Sequence, residues 1–166
     1  MARKSARRRK SKKAQEPSDD GRRIIASNRR ARHDYVLFAK LEAGLALLGS
    51  EVKSLRANGA TIREGYARVE GGELWLHGIH IPPLPQASYQ NHDPDRKRKC
   101  LVHRREIRKL EDALSADGTT LIPLALYFQG ARAKVELAVA RGRRKGDRRA
   151  REREKEDRKR IRDYPR

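Results

Sequence analysis

Cysteine is almost missing from this chain. The single Cys100 cannot close an intramolecular disulfide and supplies no zinc cluster, so a disulfide scaffold and a zinc module are both unexpected, and a reducing compartment fits. Aromatic residues make up only 5% of the sequence. No run of about 18 apolar residues exists to span a bilayer, and no amphipathic basic helix carries a Trp or Phe face to lie on one. The opening Met1-Ala-Arg-Lys-Ser-Ala-Arg-Arg-Arg-Lys is basic but has no apolar segment after it, so no secretory signal is expected and a cytosolic location is. Gly-rich phosphate loops are absent, which disfavours a nucleotide-dependent enzyme. Acidic residues are also scarce: twenty-two Asp and Glu against forty-two Lys and Arg leave a formal charge of +20 over 166 residues. Such an excess attracts polyanions at long range whatever the fold, and nucleic acid is the expected partner.

What remains is unevenly distributed. A polar basic arm runs through about Arg32, a patterned middle from about His33 to Ala140, and a charged tail from Arg141. The arm has no acid and no large apolar residue between Arg3 and Lys13, then passes Pro17-Ser18-Asp19-Asp20-Gly21, so burial cannot offset its chain entropy and disorder is expected. In the middle, Tyr35, Leu37, Ala39 and Leu41 recur with period two while Val36 and Phe38 take the other face, as in a strand covered on both sides. Ser50 is placed to cap a short helix with Val52 and Leu55 on one face. Tyr66 to Val69 and Leu74 to Ile81 form a strand pair joined by Gly71-Gly72, the residues a tight hairpin needs for positive φ. Pro82-Pro83-Leu84-Pro85 breaks any ladder, and the polar loop through Asn91-His92-Asp93-Pro94 leads to a helix from about His103, with Ile107, Leu110 and Leu114 inward and Gly118 as its stop. Ile122, Leu124, Leu126 and Phe128 face one way. After Gln129-Gly130 the set Ala131, Ala133, Val135, Leu137 and Val139 alternates against Arg132, Lys134 and Glu136, giving a second hairpin. The pattern predicts a mainly β fold: a small, partly open antiparallel barrel of the oligonucleotide-binding kind, with two or three short helices and disordered basic termini.

Constellations for chemistry are weak. His77, His80, His92 with Asp93, and His103 form no metal-ligand spacing, and a strand would place His77 and His80 on opposite faces. Glu51 and Glu64 are a carboxylate pair only on paper, because nothing in sequence brings them together. No catalytic residue, metal or cofactor is expected. Basic residues beside aromatics and histidines say more, since RNA recognition joins phosphate neutralisation to base stacking. Asn28-Arg29-Arg30-Ala31-Arg32-His33-Asp34-Tyr35 is such a cluster. Composition alone would favour a ribosomal or initiation-type protein that binds ribosomal RNA through a small barrel, whereas an RNA-processing enzyme would need a catalytic cluster that is not there.

Five ordered motifs go further: the Asn28 to Tyr35 segment; Gly49-Ser50-Glu51-Val52-Lys53-Ser54-Leu55-Arg56; Asn91-His92-Asp93-Pro94 with Arg98-Lys99; His103-Arg104-Arg105-Glu106-Ile107; and Lys134-Val135-Glu136-Leu137 with Ala140-Arg141-Gly142. With these the chain, from Ile25 to its end, resembles the SsrA-binding protein (small protein B) family, partners of bacterial transfer-messenger RNA in rescue of stalled ribosomes. The basic arm (1–24) lies outside the shared part; the resemblance implies an RNA-binding barrel (25–141) and a basic tail (142–166), with no catalysis. The barrel would grip the transfer-RNA-like domain of transfer-messenger RNA and stand in for its missing anticodon arm, as a monomer, one per RNA. RNA-binding residues are expected at Asn28, Arg29, Arg30, Arg32, His33, Tyr35, Glu51, Lys53, Arg56, Asn91, His92 and Lys134. The tail, unfolded when free, would become helical in the empty messenger channel near the small-subunit decoding centre. Its expected contacts are Arg143, Arg144, Lys145, Asp147, Arg148, Arg149, Lys155, Lys159, Arg160 and Ile161. Opposite charges four apart, Arg148 with Glu152, Glu154 with Arg158 and Glu156 with Arg160, would each support that helix slightly. Two departures stand out: Gly146-Asp147-Arg148-Arg149 replaces the family's His-Asp-Lys-Arg, and Ser50 replaces its usual Thr.

Overall fold

Seven strands and three helices are present among residues 21–84 and 91–143, the residues that the computed structural model describes. In chain order they are β1 (Arg22–Ser27), α1 (Ala31–Asp34), β2 (Tyr35–Leu45), α2 (Gly49–Ala57), β3 (Tyr66–Glu70), β4 (Glu73–His77), β5 (Arg98–Leu101), α3 (Arg104–Leu114), β6 (Thr119–Gln129) and β7 (Arg132–Gly142). The strand order β1-β6-β3-β4-β5-β2-β7, with β6 also paired to β7, closes β2 to β7 into a barrel and leaves β1 lying along β6. The closure is uneven. β2 and β6 each run along β7 for most of their length, whereas β3 meets β6 through one registered pair, Ala67↔Leu121. Both tight hairpins expected from sequence are there, and Gly71 and Gly72 both take positive φ (58° and 74°), the primed turn whose twist matches the strands it joins.

A barrel this small is filled by side chains. Leu74, Leu76, Ile79, Ile81, Leu121, Leu126, Val135 and Leu137 are fully buried at its centre, and Leu55 of α2 and Leu110 of α3 join them. A second cluster, Ala31, Ile122, Leu124, Ala138 and Ala140, is separate from that core and seats α1. The two clusters share β6, which corrects the expectation that Ile122, Leu124, Leu126 and Phe128 face one way. The ladder slips between Pro123 and Ala125, because proline cannot donate to it. The slip inverts the parity, so Ile122 and Leu124 join the second cluster and Leu126 and Phe128 the first.

Other expectations are corrected too. β1 begins at Arg22, inside the segment read as an unfolded arm, because six residues suffice to pair along β6. Phe38 is not covered: a bulge between Leu37 and Ala39 leaves it 61% exposed. β4 ends at His77 rather than Ile81, since Gly78 turns the chain with φ 64°; Ile79 and Ile81 are nevertheless buried. Arg98–Leu101, read as loop, is strand β5, too short and too charged to show a period. Ser50 lies inside α2 and does not cap it, and α3 ends at Leu114 with Ser115 at its C-cap, so Gly118 serves the turn into β6.

Candidate nucleic-acid interface

The cationic turn before β2 is fastened from below. The Asn28 N–H donates to the Leu124 carbonyl (2.8 Å), its Oδ1 accepts from the Ala31 N–H (3.1 Å), and Ala31 is buried in the second cluster. With the backbone pinned at those points, Arg29, Arg30, Arg32 and His33 are turned to solvent. His33 Nδ1 lies 3.0 Å from Asp34 Oδ1. Two further cations sit alongside: Arg63, whose carbonyl accepts from Asn28 Nδ2 (3.4 Å), and Arg143, which donates from its backbone to the Asp34 carbonyl (3.0 Å) and from Nε to that of Tyr35 (3.1 Å). Tyr35 is half-buried against the second cluster. This is a basic surface whose backbone is held in place by hydrogen bonds to β6 and within the turn.

Glu51 is placed differently from the expectation. Its side chain has no exposed surface; it accepts the Leu48 N–H (2.7 Å), Arg98 Nε (2.8 Å) and two bonds from Arg96. Arg98, equally buried, donates on to the carbonyls of Ile79, Arg96 and Pro94, each at 2.8 Å. Burial alone would raise the Glu51 pKa, but bonds from Arg96, Leu48 and Arg98 outweigh it and hold the carboxyl below its ordinary value. His92 is buried too, with Nδ1 3.1 Å from Ser50 Oγ and Nε2 3.1 Å from the Ile81 carbonyl. In this fold Glu51 and His92 are therefore both buried, beneath the surface rather than on it. Asn91 is exposed and clasps Leu84 through both its carbonyl (2.9 Å) and its N–H (3.1 Å). Lys53 and Arg56 point outward from α2, with the Arg56 guanidinium 5.3 Å from the Phe128 ring centre.

Lys134 does not join the Arg29–Arg32 cluster. It lies seven residues before Arg141 on β7, about 23 Å away along an extended strand. There its ammonium and the Tyr127 hydroxyl both donate to Glu42, whose carboxyl is held below its usual range by Lys134 first and Tyr127 second. Lys134 instead borders an open groove of about 950 Å³ between α3, β5 and the β3–β4 turn, with Lys99, Arg104, Arg108 and Arg132 on its walls. Leu101, 55% exposed, lies in the same groove. Sequence reading missed these residues as a set, because they come from elements that only the barrel brings together. Of the expected tail contacts only Arg143 is within the described residues; Arg144, Lys145, Asp147, Arg148, Arg149, Lys155, Lys159, Arg160 and Ile161 lie outside them, as does the Gly146 departure.

His77 and His80 are not brought together: His77 stacks on Tyr66 and His80 Nδ1 lies 2.8 Å from Asp95. Among the described residues no group of three or more His, Cys, Asp or Glu could hold a metal, and no helix is long and apolar enough to cross a membrane. A small antiparallel barrel with rigidly held cations on separate faces belongs to the class of oligonucleotide-binding-like β-barrel proteins.

Comparison with known proteins narrows the class. Residues 25–165 match the family described as SmpB protein. An SsrA-binding protein of Frankia casuarinae is 51% identical over 133 residues, covering 80% of this chain and 84% of the relative. That of Streptomyces coelicolor is 50% identical over 141 residues (85% and 89%), and that of Thermobifida fusca 51% over 144 (87% of each). A chain in the solved structure "tmRNA-SmpB: a journey to the center of the bacterial ribosome" matches with a TM-score of 0.62 at 47% identity, over 74% of this chain and 86% of that one. The chain belongs to the SmpB protein family.

Proposed function

We propose that this protein binds the transfer-RNA-like domain of transfer-messenger RNA and delivers it to stalled ribosomes, standing in for the missing anticodon arm. The observation that carries this reading is that SsrA-binding proteins are identical to it at about half of the aligned positions, and that the family match, residues 25–165, spans barrel and tail together. The geometry fits: cations on the Asn28–Tyr35 turn, on α2 and along the Lys134 groove offer separate footholds for a folded RNA touched on more than one side. The role is non-catalytic, cytosolic and monomeric, one protein per RNA. The barrel (25–141) holds the RNA. The tail (142–166), too poor in apolar residues to fold alone, becomes helical in the messenger channel of the small subunit, where ribosomal RNA phosphates surround its Arg and Lys.

Affinity purification from cells and sequencing of the bound RNA test this reading. Transfer-messenger RNA should dominate. Enrichment of ribosomal fragments would favour a ribosomal or initiation-type protein, and trimmed products would favour a processing enzyme.

A further inference from the structure

We infer that the seam between β3 and β6 is a second RNA site, which holds one unpaired nucleotide with its base stacked on Tyr66. Three observations converge there. First, β3 and β6 share the single registered pair Ala67↔Leu121. The barrel is parted beyond that point, and a groove of about 570 Å³ runs between β3, the end of α3 and the start of β6. Second, Tyr66 lines that groove with 41% of its surface exposed, although it is a large ring on a short strand of a basic protein. His77, opposite it on β4, lies against the ring, with centroids 5.2 Å apart and planes 9° from parallel. A ring buttressed in this way is a fixed plane, and base–aromatic stacking gains from a plane that need not be ordered on binding. Third, the remaining polar groups suit a nucleotide. Ser115, Thr119 and Thr120 offer hydroxyls for a ribose or a base edge. Arg68 lies on the β3 wall. Within the groove's lining Arg68 is the cation and Glu111 the acid, so Arg68 is the group that would meet a phosphodiester. The seam shares only Glu111 with the lining of the Lys134 groove, and none of its lining residues belongs to the Arg29–Arg32 turn. It depends on the chain being an RNA-binding protein, and on no particular RNA.

The test uses the full-length protein and a ten-nucleotide uridine oligomer that carries 4-thiouridine, photo-cross-linked and then digested with trypsin. Cross-links should map to the peptide from Glu64 to Arg68. Tyr66→Leu should abolish that cross-link and weaken oligomer binding about tenfold, while Tyr66→Phe, which keeps the ring, should retain both. An equal loss with Leu and Phe would overturn the stacking, as would cross-links confined to other peptides or wild-type affinity in a folded Tyr66→Leu. Retained oligomer binding at Tyr66 with no affinity for transfer-messenger RNA would instead sink the proposed function and leave the seam standing.

Discussion

Glu51 and Arg98 meet with no exposed surface on either side chain, and between them they tie the start of α2 to Ile79, Pro94 and β5. Truncating one partner of such a pair strands the other charge in the core, so Glu51→Ala should cost about 3 to 5 kcal/mol in urea unfolding. The pair also sets a pH dependence. Folding lowers the Glu51 pKa below its ordinary 4.5, so its contribution is complete above that value and is lost as pH falls through the folded value. Stability of the wild type should therefore decline below about pH 4.5 more steeply than that of Glu51→Gln; parallel pH profiles would show that the carboxylate is not the group responsible. Cys100 gives a second check. Burial pushes its thiol up to about 12, so it should resist a thiol reagent at pH 8 in the native protein and react fully in urea. The sequence left Cys100 without a disulfide or zinc role, and the residue is buried in the core. The sequence could not place Glu51: Ser-Glu-Val-Lys reads as a helix start, and the two arginines that enclose the carboxylate come from more than forty residues away.

Hairpins are legible from local chemistry because their turns constrain only their own residues. Gly71-Gly72 and Gln129-Gly130 announced the β3–β4 and β6–β7 turns, and both registers centre there. Gly78 differs, since it combines φ 64° with close approach: a Cβ there would sit 2.8 Å from the Glu64 carbonyl oxygen. Gly71→Ala, with open space around it, should cost only the left-handed backbone term of about 1 to 2 kcal/mol. Gly78→Ala should cost measurably more in the same urea titration, because backbone must shift; equal costs would mean that Glu64 yields freely. β5 was not legible. Four residues of which one is a buried arginine show no alternation, and the strand exists because β4 and β2 present ladder edges on either side of it.

For the whole molecule, a formal charge of +20 predicts RNA binding that weakens steeply with salt, each neutralised phosphate adding about 0.7 to 0.9 to the log–log slope. Replacing Arg29, Arg30 and Arg32 with Gln should flatten that slope by about two or three such steps without lowering the melting temperature, as measured by filter binding from 50 to 400 mM salt. An unchanged slope would remove the turn from the interface. Separating barrel from tail needs a cut that respects the fold. Arg143 fastens the end of β7 to Asp34 and Tyr35, so the truncation belongs after Arg143 rather than Arg141. That variant should keep its affinity for transfer-messenger RNA and lose peptide tagging on stalled ribosomes; loss of both, or of neither, would contradict the division of labour.

The sequence by itself determined the charge, the two hairpins, the amphipathic α3 and five ordered motifs, all of which depend on residue type and near-neighbour spacing. Only the tertiary structure decided which expected residues reach the surface. Closing the barrel buries Glu51 and His92 against distant partners, sets Lys134 toward the opposite end of β7 from the residues beside the arginine turn, and parts β3 from β6 beside Tyr66. Each outcome turns on which strand lies next to which and on bulges that invert parity, as at Pro123, and such long-range pairings leave no local period to read.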